Sequence, residues 1–117
     1  MSTEWTLAKG DIVLITFPFT DLSGQKVRPA LVIGQPDSDD ILLAFITSRL
    51  NTNNPELELL LEPSNPEFLA SGLKVASLIR LSKVATLDRM LVRRRLGSIG
   101  PETQQSVDHA LRFVFDL

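Results

Sequence analysis

Residues 11–33 read DIVLITFPFTDLSGQKVRPALVI, and this stretch predicts two strands joined by a turn. β-branched and aromatic residues crowd its two ends, which predicts one strand at Asp11–Phe17 and a second at Val27–Ile33. Between them, Phe19–Lys26 contains an aspartate, a serine and a glycine, a composition typical of turns. The pair therefore predicts a hairpin whose loop of about eight residues is longer than a tight turn requires, and such loops are often functional.

The remainder of the chain predicts further short strands and one closing helix. The apolar run Ile41–Thr47 is typical of a strand covered on both faces. Four weaker strands are predicted at residues 56–59, 75–81, 84–87 and 91–99, and one helical turn at 66–70. After Pro101, apolar residues at helical spacing predict an amphipathic helix of about 15 residues, with Val107, Ala110, Leu111 and Val114 on its inner face. Short strands joined by turns predict a mainly β fold with a C-terminal helix, arranged as a small barrel.

Length and composition exclude several classes of protein. The 117 residues predict a single domain over 1–117, and 44% hydrophobic with 22% charged residues is a globular composition. The apolar run Ile41–Ile46 is far too short to cross a membrane, and the first residues lack the apolar core of a signal peptide. The absence of cysteine excludes disulfides, thiolate catalysis and cysteine-ligated zinc. We therefore expect a cytoplasmic protein with no membrane partner.

Charge is distributed unevenly along the chain. The net charge is -2, yet residues 74–95 contain seven basic residues against Asp88 alone. A basic segment within an acidic protein fits a confined site for a polyanion. A solvated charged face is the alternative, and both remain open.

The sequence contains no complete motif for binding a metal ion or a nucleotide. The run DSDD at 37–40 resembles the start of a calcium loop, but Leu42 and Ser48 stand where such a loop needs Gly and Glu. The single histidine, His109, lies on the polar side of the predicted helix and cannot form a zinc site without further ligands. No Walker loop or G-x-S-x-G motif is present. We expect neither a metal nor a cofactor.

Polar residues at strand ends are the remaining candidates for chemistry. Arg28 precedes Pro29, which holds the Arg28 backbone extended and directs its side chain. Thr47 and Ser48 end the most apolar strand, and Arg49 follows them. Arg28 can equally be a surface charge, and the two hydroxyl residues can simply terminate the strand.

Several motifs of the chain occur together in one known family. They are Gly10–Val13, Phe17–Asp21, Lys26–Ile33, Phe45–Ser48, Ala70–Leu73 with Ser77, and Lys83–Asp88. In this order and spacing they resemble the MazF/PemK-like toxins, and the resemblance covers nearly the whole chain. It implies an SH3-like barrel of the CcdB/MazF type that forms a homodimer.

The resemblance also implies a function. Such a protein is the toxin of a type II toxin–antitoxin pair, inhibited by a cognate antitoxin. It acts as a metal-independent, sequence-selective endoribonuclease (an mRNA interferase) on single-stranded RNA. Cleavage by 2'-hydroxyl attack leaves a 2',3'-cyclic phosphate and a 5'-hydroxyl.

The family's catalytic residues correspond to Arg28 and Thr47. The RNA contacts that we predict around them are Phe19, Gln25, Lys26, Ser48, Arg49, Ser77, Arg80 and Lys83. Arginine supplies a planar set of donors for the charge that builds on phosphate, and threonine adds a hydroxyl donor. Arginine stays protonated at neutral pH, so Arg28 is better suited to stabilise charge than to act as a base.

Two alternatives use the same fold. A CcdB-like toxin poisons DNA gyrase and cleaves nothing, and a silent member serves only as an interaction module. The pairing of Arg28 with Thr47 favours the nuclease over the gyrase poison.

Overall fold

A computed structural model of the chain describes residues 6–21 and 24–117, with side chains described for 6–17 and 26–117. This part of the chain forms six β-strands, two α-helices and one 3₁₀ turn. In chain order they are β1 Asp11–Asp21, β2 Gly24–Gly34, β3 Asp40–Thr47, β4 Glu58–Leu61, α1 Phe68–Ser71, β5 Ser77–Asp88, the 3₁₀ turn Arg89–Leu91, β6 Val92–Ser98 and α2 Pro101–Phe115.

The strands pair antiparallel in one sheet with the order β4-β5-β3-β2-β1-β6. The predicted mainly β fold with a C-terminal helix is thus confirmed. Full closure is not observed, because no ladder within the described residues joins β4 to β6. The β6 edge carries three consecutive arginines, Arg93–Arg95, and charged side chains discourage further strands from adding to an edge.

The β1–β2 hairpin is longer than the sequence predicts. Instead of a loop at Phe19–Lys26, the two strands continue, and Thr20 pairs with Gln25. The prediction that the first strand ends before Pro18 is wrong, because it rests on the usual tendency of proline to end a strand. Here the register shifts between Thr16 and Thr20, and such an irregularity accommodates a residue that has no N–H to donate.

Strand β5 is continuous where the sequence predicts two shorter strands, at residues 75–81 and 84–87. Phe45 of β3 pairs with Arg80, but the preceding Ala44 pairs with Val84. Residues 81–83 therefore form a bulge in β5. Bulges bend a strand and are common beside functional sites.

Hydrophobic side chains are buried on both faces of the sheet. One face packs against α1 and α2 and includes Ile12, Leu31, Ala44, Ile46, Leu81, Val107 and Ala110. The other face includes Val13, Ile15, Ala30, Val32, Ile41 and Leu43. Strand β3 contributes to both clusters, which confirms the prediction of a strand covered on both sides. The predicted inner face of α2 is also confirmed at Val107 and Ala110.

Helix α1 packs closely on β6. A Cβ at Gly97 would collide with the carbonyl oxygen of Ala70, and a Cβ at Gly72 with that of Leu96. Gly72 also adopts φ +76°, a left-handed conformation that favours glycine. Gly97 therefore has a packing role within β6. None of the helices in the described part of the chain is long and apolar enough to cross a membrane.

A glutamate next to α1 caps the N-terminus of α2. The carboxylate of Glu67 accepts the backbone N–H groups of Glu102 (3.0 Å) and Thr103 (2.9 Å), and the Thr103 hydroxyl donates to it at 2.6 Å. These groups are among the N–H donors that a helix leaves unpaired at its start. The bonds from Thr103 hold the pKa of Glu67 below its usual value.

Candidate active site

The two predicted catalytic residues lie on adjacent strands, β2 and β3. Ala30 pairs with Phe45, and continuing this antiparallel register by two residues brings Arg28 level with Thr47. Steps of two residues keep side chains on one face, and side chains directly opposite have Cβ atoms about 4.5–5.5 Å apart. Arg28 and Thr47 therefore lie on one face of the sheet, each two residues beyond the Ala30–Phe45 pair.

Arg28 is held by its backbone and not by its side chain. It pairs with Ile15 of β1, while its side chain is exposed. Within the described part of the chain, its guanidinium has no hydrogen bond or ion pair. All five N–H donors of this side chain therefore face solvent or a ligand.

Thr47 is oriented by the turn that follows it. Its Oγ1 accepts the backbone N–H of Arg49 at 3.1 Å. This bond occupies one lone pair and leaves the hydroxyl proton available for donation. Ser48 and Arg49 are both exposed and lie next to Thr47.

Arg80 lies on the same face and belongs to a polar cluster, which we call the Glu58 cluster: Glu58, Arg80, Ser82 and Thr52. The Arg80 Nε donates to Glu58 Oε2 at 2.5 Å, and the Ser82 hydroxyl donates to the same oxygen at 3.1 Å. The Thr52 hydroxyl donates to the other oxygen, Oε1. Glu58 is buried, and these bonds, that from Thr52 above all, hold its pKa below the usual value despite desolvation.

Sequence reasoning missed Glu58 and Thr52. The alternation of acidic and apolar residues at 56–59 predicts an exposed acidic side chain on a half-exposed strand. The strand begins two residues later, at Glu58, and pairs with β5 so that Glu58 faces Arg80. No local pattern reveals a pairing between residues 22 positions apart.

The other predicted RNA contacts divide into three groups. Lys83 is exposed in the β5 bulge, three residues from Arg80, and Lys26 is exposed on β2, two residues from Arg28. Ser77 differs from them: it is buried, and its hydroxyl donates to the Val75 carbonyl at 2.9 Å. The side chains of the remaining two, Phe19 and Gln25, lie outside the described residues.

The basic residues of segment 74–95 lie on more than one strand of the sheet. Its members on β5 and those on β6 are separated in the sheet by β3, β2 and β1. On β6, Arg95 pairs with Asp11 at 3.1 Å and Arg93 donates to the Thr16 hydroxyl at 3.3 Å. The sheet order therefore divides the basic residues of this segment between β5 and β6, and the polyanion site stays a prediction.

An aromatic pair lies close to these side chains. The rings of Phe17 and Phe45 are 4.8 Å apart with an interplanar angle of 54°, and both are half-buried. Phe45 pairs with Ala30 on one side and Arg80 on the other. The face therefore combines apolar surface with cationic and hydroxyl groups.

The acidic turn and the histidine lie apart from this face. Asp37 accepts the backbone N–H groups of Asp39 (2.9 Å) and Asp40 (2.8 Å), so its carboxylate orders a turn. Among the described residues, no group of three or more acidic or histidine side chains is arranged to hold a metal ion. His109 is exposed on α2 and lines a shallow cavity of about 360 Å³ with Leu59 and others. That cavity opens on the α2 side of the sheet, since Leu59 packs against the cluster beneath α2.

Solved structures show the same fold. The toxin MazF-mt6 of Mycobacterium tuberculosis aligns with a TM-score of 0.71 at 18% identity, over 92% of this chain and 97% of that one. An endoribonuclease from a mycobacterial species in complex with its cognate antitoxin aligns with a TM-score of 0.71 at 16% identity, over 96% and 97%. A mycobacterial endoribonuclease gives 0.69 at 17% identity, over 99% and 97%.

Sequence comparison assigns the family directly. No curated protein matches the chain significantly. A family model described as "PemK-like, MazF-like toxin of type II toxin-antitoxin system" matches residues 8–115, nearly the full length. The chain therefore belongs to the PemK-like, MazF-like toxins of type II toxin–antitoxin systems.

Proposed function

We propose that this toxin is a metal-independent, sequence-selective endoribonuclease that cleaves single-stranded RNA. The ribose 2'-oxygen attacks the adjacent phosphorus and loses its proton to a base. The bond from phosphorus to the 5'-oxygen breaks, and that oxygen takes up a proton. The products are a 2',3'-cyclic phosphate and a 5'-hydroxyl.

One observation carries the proposal: Arg28, exposed and unpaired among the described residues, and the Thr47 hydroxyl each lie two residues beyond the Ala30–Phe45 pair, on adjacent strands and on the same face of the sheet. Attack at phosphorus increases the charge on the non-bridging oxygens. Arg28 offers two parallel N–H donors to that charge and can deliver a proton to the leaving oxygen, while Thr47 adds a hydroxyl donor. Losing one such donor typically costs about 10²–10³ in rate.

The surrounding residues supply binding. Lys26, Arg49, Arg80 and Lys83 provide positive charge for the RNA backbone, and Ser48 offers a hydroxyl beside Thr47. Phe17 and Phe45 add apolar surface of the kind on which bases stack. The side chains of Phe19 and Gln25, on the β1–β2 hairpin, remain predicted contributors to the same groove.

We propose three further properties. The toxin forms a homodimer, acts in the cytoplasm and is inhibited by a cognate antitoxin. A fold relative is an endoribonuclease in complex with its cognate antitoxin, which supports the last of these. An extended acidic segment of an antitoxin is complementary to Arg28 and its cationic neighbours and would compete with RNA for them.

The test is cleavage of a mixed-sequence RNA by the purified protein in EDTA, with the cut ends mapped. We expect cleavage to persist in EDTA and to leave cyclic phosphate termini, because Arg28 and Thr47 supply the charge stabilisation. Activity that vanishes on chelation and returns with magnesium would contradict metal independence. A protein that cuts no RNA under either condition would contradict the endoribonuclease proposal itself.

A further inference from the structure

The Glu58 cluster places a buried carboxylate directly beneath an arginine of the proposed RNA face. Glu58 and Arg80 are paired residues of β4 and β5, so their side chains lie on the same side of the sheet. The Glu58 side chain is 7% exposed, whereas that of Arg80 is 35% exposed. A charge is buried at this position only with strong compensation, which the three hydrogen bonds to Glu58 provide.

Arg80 is close to the proposed catalytic pair. Thr47 pairs with Leu78, and Arg80 is two residues further along β5, on the same face. This diagonal neighbour of Thr47 lies about 7–8 Å away by Cα, within the reach of an arginine side chain. The row Arg28, Thr47, Arg80 therefore crosses β2, β3 and β5 on one face.

Glu58 uses only part of the Arg80 guanidinium. Its oxygen accepts the Nε–H, and within the described residues the two terminal nitrogens have no other acceptor. Four of the five N–H donors therefore remain for a ligand. An arginine anchored in this way loses less side-chain entropy when it binds a phosphate, because its position is set beforehand.

The same carboxylate also holds the chain that follows the catalytic strand. Thr52 lies in the connection after Arg49 and donates to Glu58, while its own oxygen accepts the Asn54 N–H at 2.9 Å. Glu58 thus ties the segment that carries Ser48 and Arg49 to the strand that carries Arg80.

We infer that Glu58 is a positioning residue of the RNA site, which fixes Arg80 so that its terminal nitrogens bind a phosphate of the substrate. This inference rests on the endoribonuclease function proposed above. An acidic residue at an RNA site is otherwise unfavourable, since it repels the polyanion. Its role is distinct from that of Arg80, which touches the substrate.

The test compares Glu58→Gln, Arg80→Ala and the double variant with wild type, measuring kcat and KM for a cleavable RNA. We expect Arg80→Ala to lose about 10²-fold in kcat/KM, as for loss of one anion-stabilising donor. Glu58→Gln keeps the shape of the side chain and removes its charge, and should lose about tenfold, the size of one charge-assisted hydrogen bond. In the Arg80→Ala background, Glu58→Gln should change cleavage less than twofold, because no arginine is left to position.

A second measurement uses an RNA whose 2'-hydroxyls are replaced by hydrogen, so that it binds without being cleaved. The slope of log affinity against log salt should fall by about 0.7 for Arg80→Ala, the value for one lost phosphate contact on a single strand. Glu58→Gln should bind more weakly than wild type. A carboxylate with no positioning role is only a negative charge near RNA, and its removal should make binding tighter. Equal or tighter binding, or unchanged cleavage, by Glu58→Gln would overturn the inference.

The controls separate the possible failures. Glu67→Gln removes a carboxylate that also accepts three hydrogen bonds but lies at the start of α2, and it should cleave like wild type. If Glu58→Gln resembles Glu67→Gln, losing thermal stability alone, Glu58 is structural and the inference fails. Arg28→Ala tests the parent proposal: if it is inactive while Glu58→Gln and Arg80→Ala are normal, only the positioning role is wrong. If wild type cuts no RNA, the proposed function fails, and the binding measurement still decides the role of Glu58.

Discussion

Two carboxylates, Glu58 and Glu67, accept similar sets of hydrogen bonds in two different regions of the molecule. Glu58 lies beside the proposed RNA face, and Glu67 lies at the start of α2. Each accepts three hydrogen bonds, each connects segments distant in sequence, and the pKa of each lies below its usual value. Glu67 receives backbone N–H groups and a hydroxyl at the start of α2. Glu58 receives two hydroxyls and an arginine that keeps four further donors. The partners, and not the number of bonds, decide whether a carboxylate supports the fold or the site.

This difference predicts that stability and activity can be changed separately. Backbone N–H groups at a helix start need an acceptor in order for the helix end to remain ordered. A guanidinium at the surface remains solvated without an acceptor, so we expect its anchoring to matter more for cleavage than for stability. Substitutions near Glu67 should therefore change the melting temperature, and those on the face of Arg28, Thr47 and Arg80 should change cleavage.

The largest expected effect is at Arg28. Arg28→Ala and Arg28→Lys should each lower kcat by about 10²–10³, because neither alanine nor lysine provides a two-pronged donor. Thr47→Ala should lose less, since one hydroxyl donor is removed and the charge remains. All three should melt within a few degrees of wild type, as substitutions of exposed side chains usually change stability by less than about 0.5 kcal/mol.

The control for Arg28 is His109→Ala, on the other side of the sheet. His109 is exposed on α2 and should be dispensable for cleavage. Near-normal activity of Arg28→Lys would show that Arg28 acts as a point charge and that the bidentate geometry is unimportant. An inactive His109→Ala beside an active Arg28→Ala would move the site to the cavity next to α2.

The next effect, on stability alone, is expected at Glu67. Glu67→Gln should lower the melting temperature by about 5 °C, the usual scale for loss of a helix cap in a small domain. Cleavage measured at a temperature where the variant is folded should equal that of wild type. Thermal unfolding and initial cleavage rates on the same preparation give both values. A loss of cleavage without a loss of stability would remove the distinction between the two carboxylates.

The sequence predicts those features of the fold and of the candidate site that depend on local pattern. The strand at 41–47, the helix after Pro101 and the placement of Arg28 near Thr47 follow from periodicity, strand ends and the family motifs. The Glu58 cluster does not follow, because it depends on which strands pair. The alternation around residue 58 is the same whether its neighbour is solvent or Arg80.

Two further differences between the sequence pattern and the structure have a similar cause. Pro18 marks the end of a strand by propensity, yet a register shift lets the hairpin continue past it. The basic segment 74–95 is continuous in sequence, yet the sheet order separates β5 from β6. Propensity and charge runs describe neighbours along the chain, whereas the site is assembled from neighbours across strands.

The smallest effect is expected from pH, where the two carboxylates should be alike in stability and unlike in function. A carboxylate whose folded pKa is depressed contributes stability above its unfolded value, about 4.3 for Glu, and loses that contribution as the pH falls through the folded pKa. Between pH 5 and pH 3, the melting temperature of wild type should therefore fall more steeply than that of Glu58→Gln or of Glu67→Gln. Cleavage should separate the two carboxylates: once the pH falls below the folded pKa of Glu58, that side chain is neutral and releases Arg80, so the ratio of wild-type to Glu58→Gln rates should approach one. The ratio of wild-type to Glu67→Gln rates should stay near one throughout, as long as both proteins are folded. A wild-type advantage over Glu58→Gln that persists below the pH at which the Glu58 contribution to stability is lost would mean that the charge of Glu58 does not hold Arg80.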